Sequence, residues 1–428
     1  MNIYEEFFLI LGKGMTYLNC KEFFDKESIA YEALETSDIL NIKDHHLILK
    51  DKKINLSVID HIIISPGISK KNSTVQKLMK LNCKITTDIE ILQSIKKSKY
   101  ICITGTNGKT STVNLISDIL NSNHNKTLAC GNNGVSIFKS LEDNYEFIVL
   151  ELSSYQLDYI RKLDSHISVI LNLSTDHLER HETIKKYFTA KLKIFDYAKH
   201  KVINKNLENS EKDITFDIKN KFIYINSSPI DNLYFENYNF VLYEDKKYEL
   251  KGKHEAYNLS ACIAVLSILG LSIDQIMFGF SQRSHLSHRL ERFCTYQGIT
   301  YINDSKSTNS DSTLNALESL EENIILIMGG DNKKISYYSL KNIIDHKVKL
   351  LILIGDNKKY IKNQLNTKVD TILLENLKDA TNYIFDNLKS NQTVLLSPGS
   401  SSFSLYKDFE HRGNHFKNLV NSYVNRKA

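Results

Sequence analysis

The sequence predicts an α/β protein of three domains built on open, mostly parallel sheets. These are a Rossmann-like domain over 1–94, a central domain of the phosphate-loop type over 95–286 carrying a small β insertion, and a second Rossmann-like domain over 287–428. Three observations carry this. The chain has 428 residues, too many for one core, and ordinary domain sizes divide it into about three. Short apolar runs that stop at glycine or proline turns alternate with helix-period segments, as strands and their covering helices do. And Ile101–Thr110 reads I-C-I-T-G-T-N-G-K-T, a strand that breaks into a glycine-bounded turn and then a helix.

Taken in order, Phe7–Leu11 and Ile62–Ile64 are strands that end at Gly12-Lys13-Gly14 and Ser65-Pro66-Gly67. A dinucleotide fingerprint wants a third glycine where Tyr17 stands, so the first loop reads either as a ligand-binding turn or as a plain tight turn. The basic stretch I-K-K-S-K at 95–99 marks a linker. Beyond the glycine turn, Val113, Ile116, Ile119 and Leu120 fall on one face of a helix. Phe147–Leu150 and His166–Leu173 continue a parallel sheet. Lys201–Leu250 holds short strands such as Phe222–Ile225 and a hairpin around Glu244–Lys247, an insertion or edge rather than more parallel sheet. An apolar helix is expected over His254–Leu269. The last domain has strands at Ile324–Met328, Leu350–Ile354, Thr371–Leu374 and Thr393–Leu396.

Composition narrows the function. Apolar residues make up 42% and charged residues 25%, with 3 prolines, too apolar a chain for disorder. The 55 Lys and Arg barely exceed the 50 Asp and Glu and are scattered, which argues against a nucleic-acid groove and fits a mildly positive cleft for phosphorylated ligands. Six cysteines (Cys20, Cys83, Cys102, Cys130, Cys262, Cys294) form no C-x-x-C and read as reduced packing residues. Glu5 and Glu6 stand where a secretory signal wants positive charge, and no apolar run approaches the roughly 18 residues of a membrane span. The expectation is a soluble cytoplasmic protein.

The glycine turn carries the chemistry. In Gly105-Thr106-Asn107-Gly108 the two glycines let backbone N–H groups curl toward phosphate oxygens, Lys109 adds a point charge, and Thr110 offers a hydroxyl to Mg2+. The general phosphate-loop pattern has another glycine where Ile103 stands, so the shorter G-T-N-G-K-T form carries the argument for ATP. Glu151 ends a strand where open sheets keep their ligand crevice, and is a candidate Mg2+ ligand or else a capping or salt-bridged carboxylate. His177 reads as a metal ligand or a structural histidine, and Lys191 as a cation that would repel metal. Arg289 offers a planar fork for phosphate, and Asp304 an acceptor for a ribose hydroxyl. Ser397-Pro398-Gly399 followed by Ser400-Ser401-Ser402 either cradles a carboxylate or caps a helix.

Together these stretches resemble the Mur ligases, the ATP-dependent amide-forming enzymes of peptidoglycan precursor synthesis. The resemblance rests on G-T-N-G-K-T at 105–110, G-N-N-G at 131–134, E-L-S-S-Y-Q-L at 151–157, L-N-L-S-T-D-H at 171–177, A-K-L-K-I at 190–194, H-R at 288–289 and N-D-S-K-S-T-N at 303–309. G-G-D-N-K at 329–333, L-S-P-G at 396–399 and D-F-E-H-R-G at 408–413 are similar to the D-glutamate-adding branch of that family. It implies that ATP and two Mg2+ ions are used. Lys109 and Thr110 would bind the phosphates and, with Glu151, one ion; Lys191, carbamylated in the family, would join His177 at the second. Asn258, Arg289 and Asp304 would hold the nucleotide. Asn132 and Ser153 would approach the muramoyl substrate, with Met15, Thr16 and Ser65 at its uridine diphosphate end. Thr308, Lys333, Ser402 and Phe409 would take the incoming amino acid.

The implied reaction joins D-glutamate to UDP-N-acetylmuramoyl-L-alanine through an acyl phosphate, a step of cell wall biogenesis on which cell shape and division depend. The implied partners are these small molecules, with no nucleic acid and no membrane insertion, acting on a monomer. The chain departs from the family at Tyr17, at Glu35-Thr36-Ser37 in place of Asp-Thr-Arg, and at G-S-S-S before Phe403. A nucleotide-binding regulator that catalyses nothing, or a family member using another amino acid, are the competing readings.

Overall fold

The chain begins its first sheet with Phe8–Leu11 (β1), buried along its whole length as a central parallel strand must be. The computed structural model describes residues 3–174, 176–207, 213–284, 286–331, 336–387 and 391–427. β1 pairs in parallel with Tyr31–Leu34 (β2) on one side and His61–Ile64 (β3) on the other. With Ile85–Thr86 (β4) the order is β2-β1-β3-β4. Gly12 turns the chain at φ +90°, and a Cβ there would lie 2.9 Å from Ser65 Cβ, so the loops after β1 and β3 touch. The helix Met15–Glu27 (α1) starts from this turn, and Asp88–Ile95 (α2) follows β4. A small antiparallel sheet of Asn41–Lys43, His46–Ile48 and Lys53–Asn55 is an addition the sequence reading did not separate.

The second sheet contains Lys99–Thr104 (β5), Thr127–Gly131 (β6), Phe147–Glu151 (β7), Ser165–Ile170 (β8), Ala198–Asn204 (β9) and Ile214–Lys219 (β10). All pair in parallel, in the order β10-β9-β8-β5-β7-β6. Lys109–Ser122 (α3) covers it with Val113, Ile116, Ile119 and Leu120 fully buried, the face the sequence predicted. Two expectations are corrected. β9 and β10 extend the parallel sheet into the stretch read as an edge insertion; their apolar positions Val202, Ile203 and Phe216 are buried, and flanking lysines hid the strand signal. And β8 stops at Ile170, because Leu171–Leu173 leave the sheet to pass beside the glycine turn.

These two sheets lie in one compact unit made of Met1–Lys219, Ile223–Ile230 and Asn258–Arg283. Aromatic stacking helps hold it: Phe23 of α1 lies flat on Phe138, with ring centroids 4.4 Å apart. The Tyr159 hydroxyl donates to the Ile68 carbonyl at 2.8 Å, and Gln93 exchanges two hydrogen bonds with the backbone of Asp164.

The second unit holds Asn220–Phe222, Asp231–Tyr257 and Ser284–Ala428. Its sheet runs Glu291–Tyr296 (β11), Ile299–Asn303 (β12), Ile324–Gly330 (β13), Val348–Gly355 (β14), Thr371–Leu373 (β15) and Gln392–Leu396 (β16), in the order β11-β12-β16-β13-β14-β15. Only the β11/β12 pair is antiparallel. Both faces are covered by apolar clusters, one around Leu326 and Tyr337, the other around Ile327 and Phe416. Phe240–Tyr243 and Lys246–Glu249 form the expected hairpin, and the apolar helix spans Lys253–Ile268. Among the described residues no helix is long and apolar enough to cross a membrane.

Candidate active site

At the carboxyl end of β5 the chain turns through Gly105–Gly108 into α3, so the first amides of that helix face the crevice. Gly108 sits at φ +84°, and a Cβ there would come 2.4 Å from Asn258 Oδ1; only glycine fits. Asn172 clamps the loop from outside β8, accepting from the Asn107 N–H and donating to the Asn107 carbonyl, both at 2.9 Å. Thr106 Oγ1 accepts from Ser174 N and meets the Tyr187 hydroxyl at 3.1 Å. Lys109 Nζ folds back on the loop, donating to the carbonyls of Gly105 (2.9 Å) and Thr106 (2.7 Å).

Glu151, the last residue of β7, is 2% exposed. Its Oε1 accepts from Asn132 Nδ2 at 3.0 Å, while the buried Oε2 has no hydrogen-bond partner among the described residues. A buried carboxylate oxygen without a donor is costly, and a hard cation satisfies it as well as a donor does. Asn132 is presented by the turn after β6, where Gly131 at φ +106° passes close to the Glu151 carbonyl.

Lys191 lies on the helix Ile184–Leu192 and is 1% exposed. Its Nζ donates to Thr104 Oγ1 at 3.1 Å and to the Gly105 carbonyl at 2.8 Å, over the Tyr187 ring. Burial pushes its pKa well below the ordinary lysine range, the Lys109 charge acts the same way, and Asp176 and Glu151 oppose both. His177 adopts φ +53°, an unfavourable conformation for a side chain this size, with its N–H on Asp176 Oδ1 at 2.9 Å and its Nδ1 3.1 Å from the Tyr155 hydroxyl.

One cavity of about 640 Å³ collects these groups. Lys109, Asn132, Ser153, His177 and Lys191 line it together with Met15, Thr16 and Ser65 from the first sheet's loops. Ser65 Oγ donates to the Gly12 carbonyl at 3.0 Å, and Ser153 caps the following helix by accepting from Gln156 N. The reading of the sequence missed Tyr187, Tyr155, Asn172 and the cavity carboxylates Glu35 and Asp88. For Glu35 the signal was present in Glu35-Thr36-Ser37; its carboxylate accepts from Lys13 N at 2.7 Å at the cavity edge.

The second unit gathers the remaining candidates at the carboxyl ends of its strands. Asp304 is 5% exposed and accepts from Leu290 N, Ser307 Oγ and Ser397 Oγ; burial raises its pKa to about 6 against these donors. Its carboxylate therefore ties β12 to the serine turn. Ser402 is buried, and Thr308, Phe409 and Arg289 are half-buried, with Lys306 Nζ 3.6 Å over the Phe409 ring. Arg412, 1% exposed and not foreseen, donates to Ser305 Oγ and to the carbonyls of Ser305, Ser400 and Ser401. Lys333 lies outside the described residues.

Two family models match the chain. The Mur ligase middle domain corresponds to residues 103–266, and the Mur ligase, glutamate ligase domain to 288–399. The chain is 31% identical to UDP-N-acetylmuramoylalanine--D-glutamate ligase of Prochlorococcus marinus, covering 96% of each chain. It is 32% identical to the enzyme of the same name from Buchnera aphidicola over 98% of both. The fold is that of UDP-N-acetylmuramate-alanine ligase MurC from Thermotoga maritima (TM-score 0.62, 17% identity, 98% and 99% covered) and of the MurF ligase of that organism solved in complex with ADP (TM-score 0.61, 14% identity, 100% and 97% covered). The two matching family models and near-full-length relatives of one name place the chain in the Mur ligase family of ATP-dependent peptidoglycan precursor ligases.

Proposed function

We propose that this chain joins D-glutamate to UDP-N-acetylmuramoyl-L-alanine at the cost of ATP, releasing ADP and phosphate, as a monomer in the cytoplasm. The observation that supports the reading is the shared cavity: Lys109 at the end of the phosphate loop, Lys191 and His177 line the same space as Met15, Thr16 and Ser65. The reaction needs an activated acyl group and a sugar-nucleotide anchor within reach of each other, and the residues proposed for the two line one cavity.

A carboxylate is a poor acyl donor until its oxygen becomes a leaving group, and phosphorylation by ATP makes it one. The alanyl carboxylate attacks the γ-phosphoryl group to give an acyl phosphate; the amine of D-glutamate then adds to that carbonyl and phosphate departs. Two anions must meet, so positioning and charge neutralisation are the protein's main contribution. The loop amides and Lys109 bind the triphosphate. The residues also fit magnesium: Thr110 and Glu151 Oε2 would offer hard oxygens to one ion, and a second would be held by the His177 ring nitrogen with the carbamate oxygens of a carbamylated Lys191. Magnesium, when bound, screens the charge between carboxylate and phosphate. Asn258, Arg289 and Asp304 serve the nucleotide, Asn132 and Ser153 the muramoyl unit, and Thr308, Lys333, Ser402 and Phe409 the D-glutamate.

The test is ADP release with UDP-N-acetylmuramoyl-L-alanine and a panel of amino acids. D-Glutamate alone should support turnover; a higher kcat/KM for any other amino acid overturns the assignment, and ADP release independent of any amino acid supports the regulator reading.

A further inference from the structure

Asp88 begins α2 yet does not cap it. Thr87 does that, through a reciprocal capping box with Glu90. The Asp88 carboxylate is 5% exposed, and its partners are the main-chain amides of Asp88 and Ile89, the latter at 3.0 Å. Among the described residues no side-chain donor and no cation reaches it; Cys20 on α1 and Glu90 are the titratable groups that bear on it. Burial holds its pKa up, at about 6, so it is charged at neutral pH in a place that disfavours charge. Its remaining surface opens on the cavity described above, with Thr16 and Asn19 of α1. α2 packs against residues 137–141, and Asp88 lines the same cavity as Ile137 and Lys109.

We propose that Asp88 accepts a hydrogen bond from a hydroxyl of the substrate's muramoyl sugar and so selects for that sugar. This rests on the function proposed above. A buried carboxylate calls for a neutral donor. Two parts of the substrate are excluded because they are anionic: the diphosphate, placed at the α1 turn, and the reacting carboxylate, placed at Lys109 and Lys191. The uridine belongs to the other end, beside Glu35. The sugar lies between and keeps free hydroxyls, at its 4- and 6-positions, that can donate. A charged acceptor held by two amides is pre-aimed, so a hydroxyl gains a charge-assisted bond without ordering any protein group.

The test is calorimetric titration of the full chain, wild type, Asp88→Asn and Asp88→Ala, with UDP and with UDP-N-acetylmuramoyl-L-alanine. Asn is isosteric, and unchanged UDP affinity reports an intact first domain. The proposal expects Asp88→Asn to weaken the complete substrate about tenfold and Asp88→Ala by more, with UDP held within about twofold. In turnover, KM for the sugar nucleotide should rise while kcat stays near wild type. Equal losses for UDP and the complete substrate overturn the sugar assignment. If the complete substrate binds the wild type better than UDP and Asp88→Asn leaves that gain intact, the role of Asp88 is overturned alone. If the wild type gains nothing from the muramoyl unit, the functional reading falls and this proposal with it.

Discussion

Replacing Glu151 by Gln separates a catalytic carboxylate from a structural one. The Oε1 bond from Asn132 survives, because an amide oxygen accepts as well. What changes is Oε2, a buried oxygen with no hydrogen-bond partner. Burying such a group costs about 1–3 kcal/mol, so removing its charge should leave the fold as stable as before or more stable by about 1 kcal/mol. Catalysis should respond oppositely. If that oxygen anchors Mg2+ on the phosphates, its loss removes a transition-state interaction of about 3 kcal/mol, a turnover decrease of roughly 100-fold. Thermal unfolding without nucleotide gives the first quantity, and ADP release across a magnesium titration the second, with activity partly restored at high Mg2+. Near-normal turnover at low Mg2+ would falsify the ligand role. A large stability loss matching the activity loss would instead make Glu151 structural.

Other substitutions probe the rest of the site. Lys109→Ala should cost about 3 kcal/mol or more in kcat/KM for ATP, read by steady-state kinetics. Arg412→Ala removes a buried donor from three carbonyls and Ser305 Oγ, so the second unit should lose about 3 kcal/mol or more and KM for D-glutamate should rise; Arg412→Lys should not restore it, because an ammonium cannot span the same fork. Burial holds the His254 pKa at about 4 against an ordinary 6.5, and its Nδ1 has no hydrogen-bond partner. The unfolded chain then takes up a proton that the folded one refuses, so stability falls as pH drops from 6.5 toward about 4, by about 3 kcal/mol in all. Urea unfolding of His254→Gln should show a flatter pH dependence than wild type over that window, and an identical slope would contradict the assignment.

The phosphate loop and the apolar strands were legible in the sequence because they are local: glycine at Gly108 and a fully buried face on α3 are each written within a few residues. The chemistry of Lys191 was not. Its depressed pKa comes first from burial and then from the Lys109 charge, and the groups that enclose it include Thr104 and Gly105, 87 and 86 residues away in the chain. Asn172 sat inside L-N-L-S-T-D-H and Tyr187 on an amphipathic helix, and nothing local says that they hold the loop through Asn107 and Thr106. β9 and β10 were misread because their buried runs, Val202–Asn204 and Thr215–Ile218, are short and include polar Asn204, Thr215 and Asp217, so edge and interior strands look alike. Arg412 sat inside D-F-E-H-R-G and was read only as part of that motif, since nothing local says a helix arginine is buried.

The central claim is that the substrate carboxylate is phosphorylated before the amide forms. Synthesis from UDP-N-acetylmuramoyl-L-alanine labelled with oxygen-18 in both alanyl carboxylate oxygens, followed by mass spectrometry of the released phosphate, tests it directly. One labelled oxygen per phosphate is the predicted result; unlabelled phosphate, with both labelled oxygens outside it, would contradict the account.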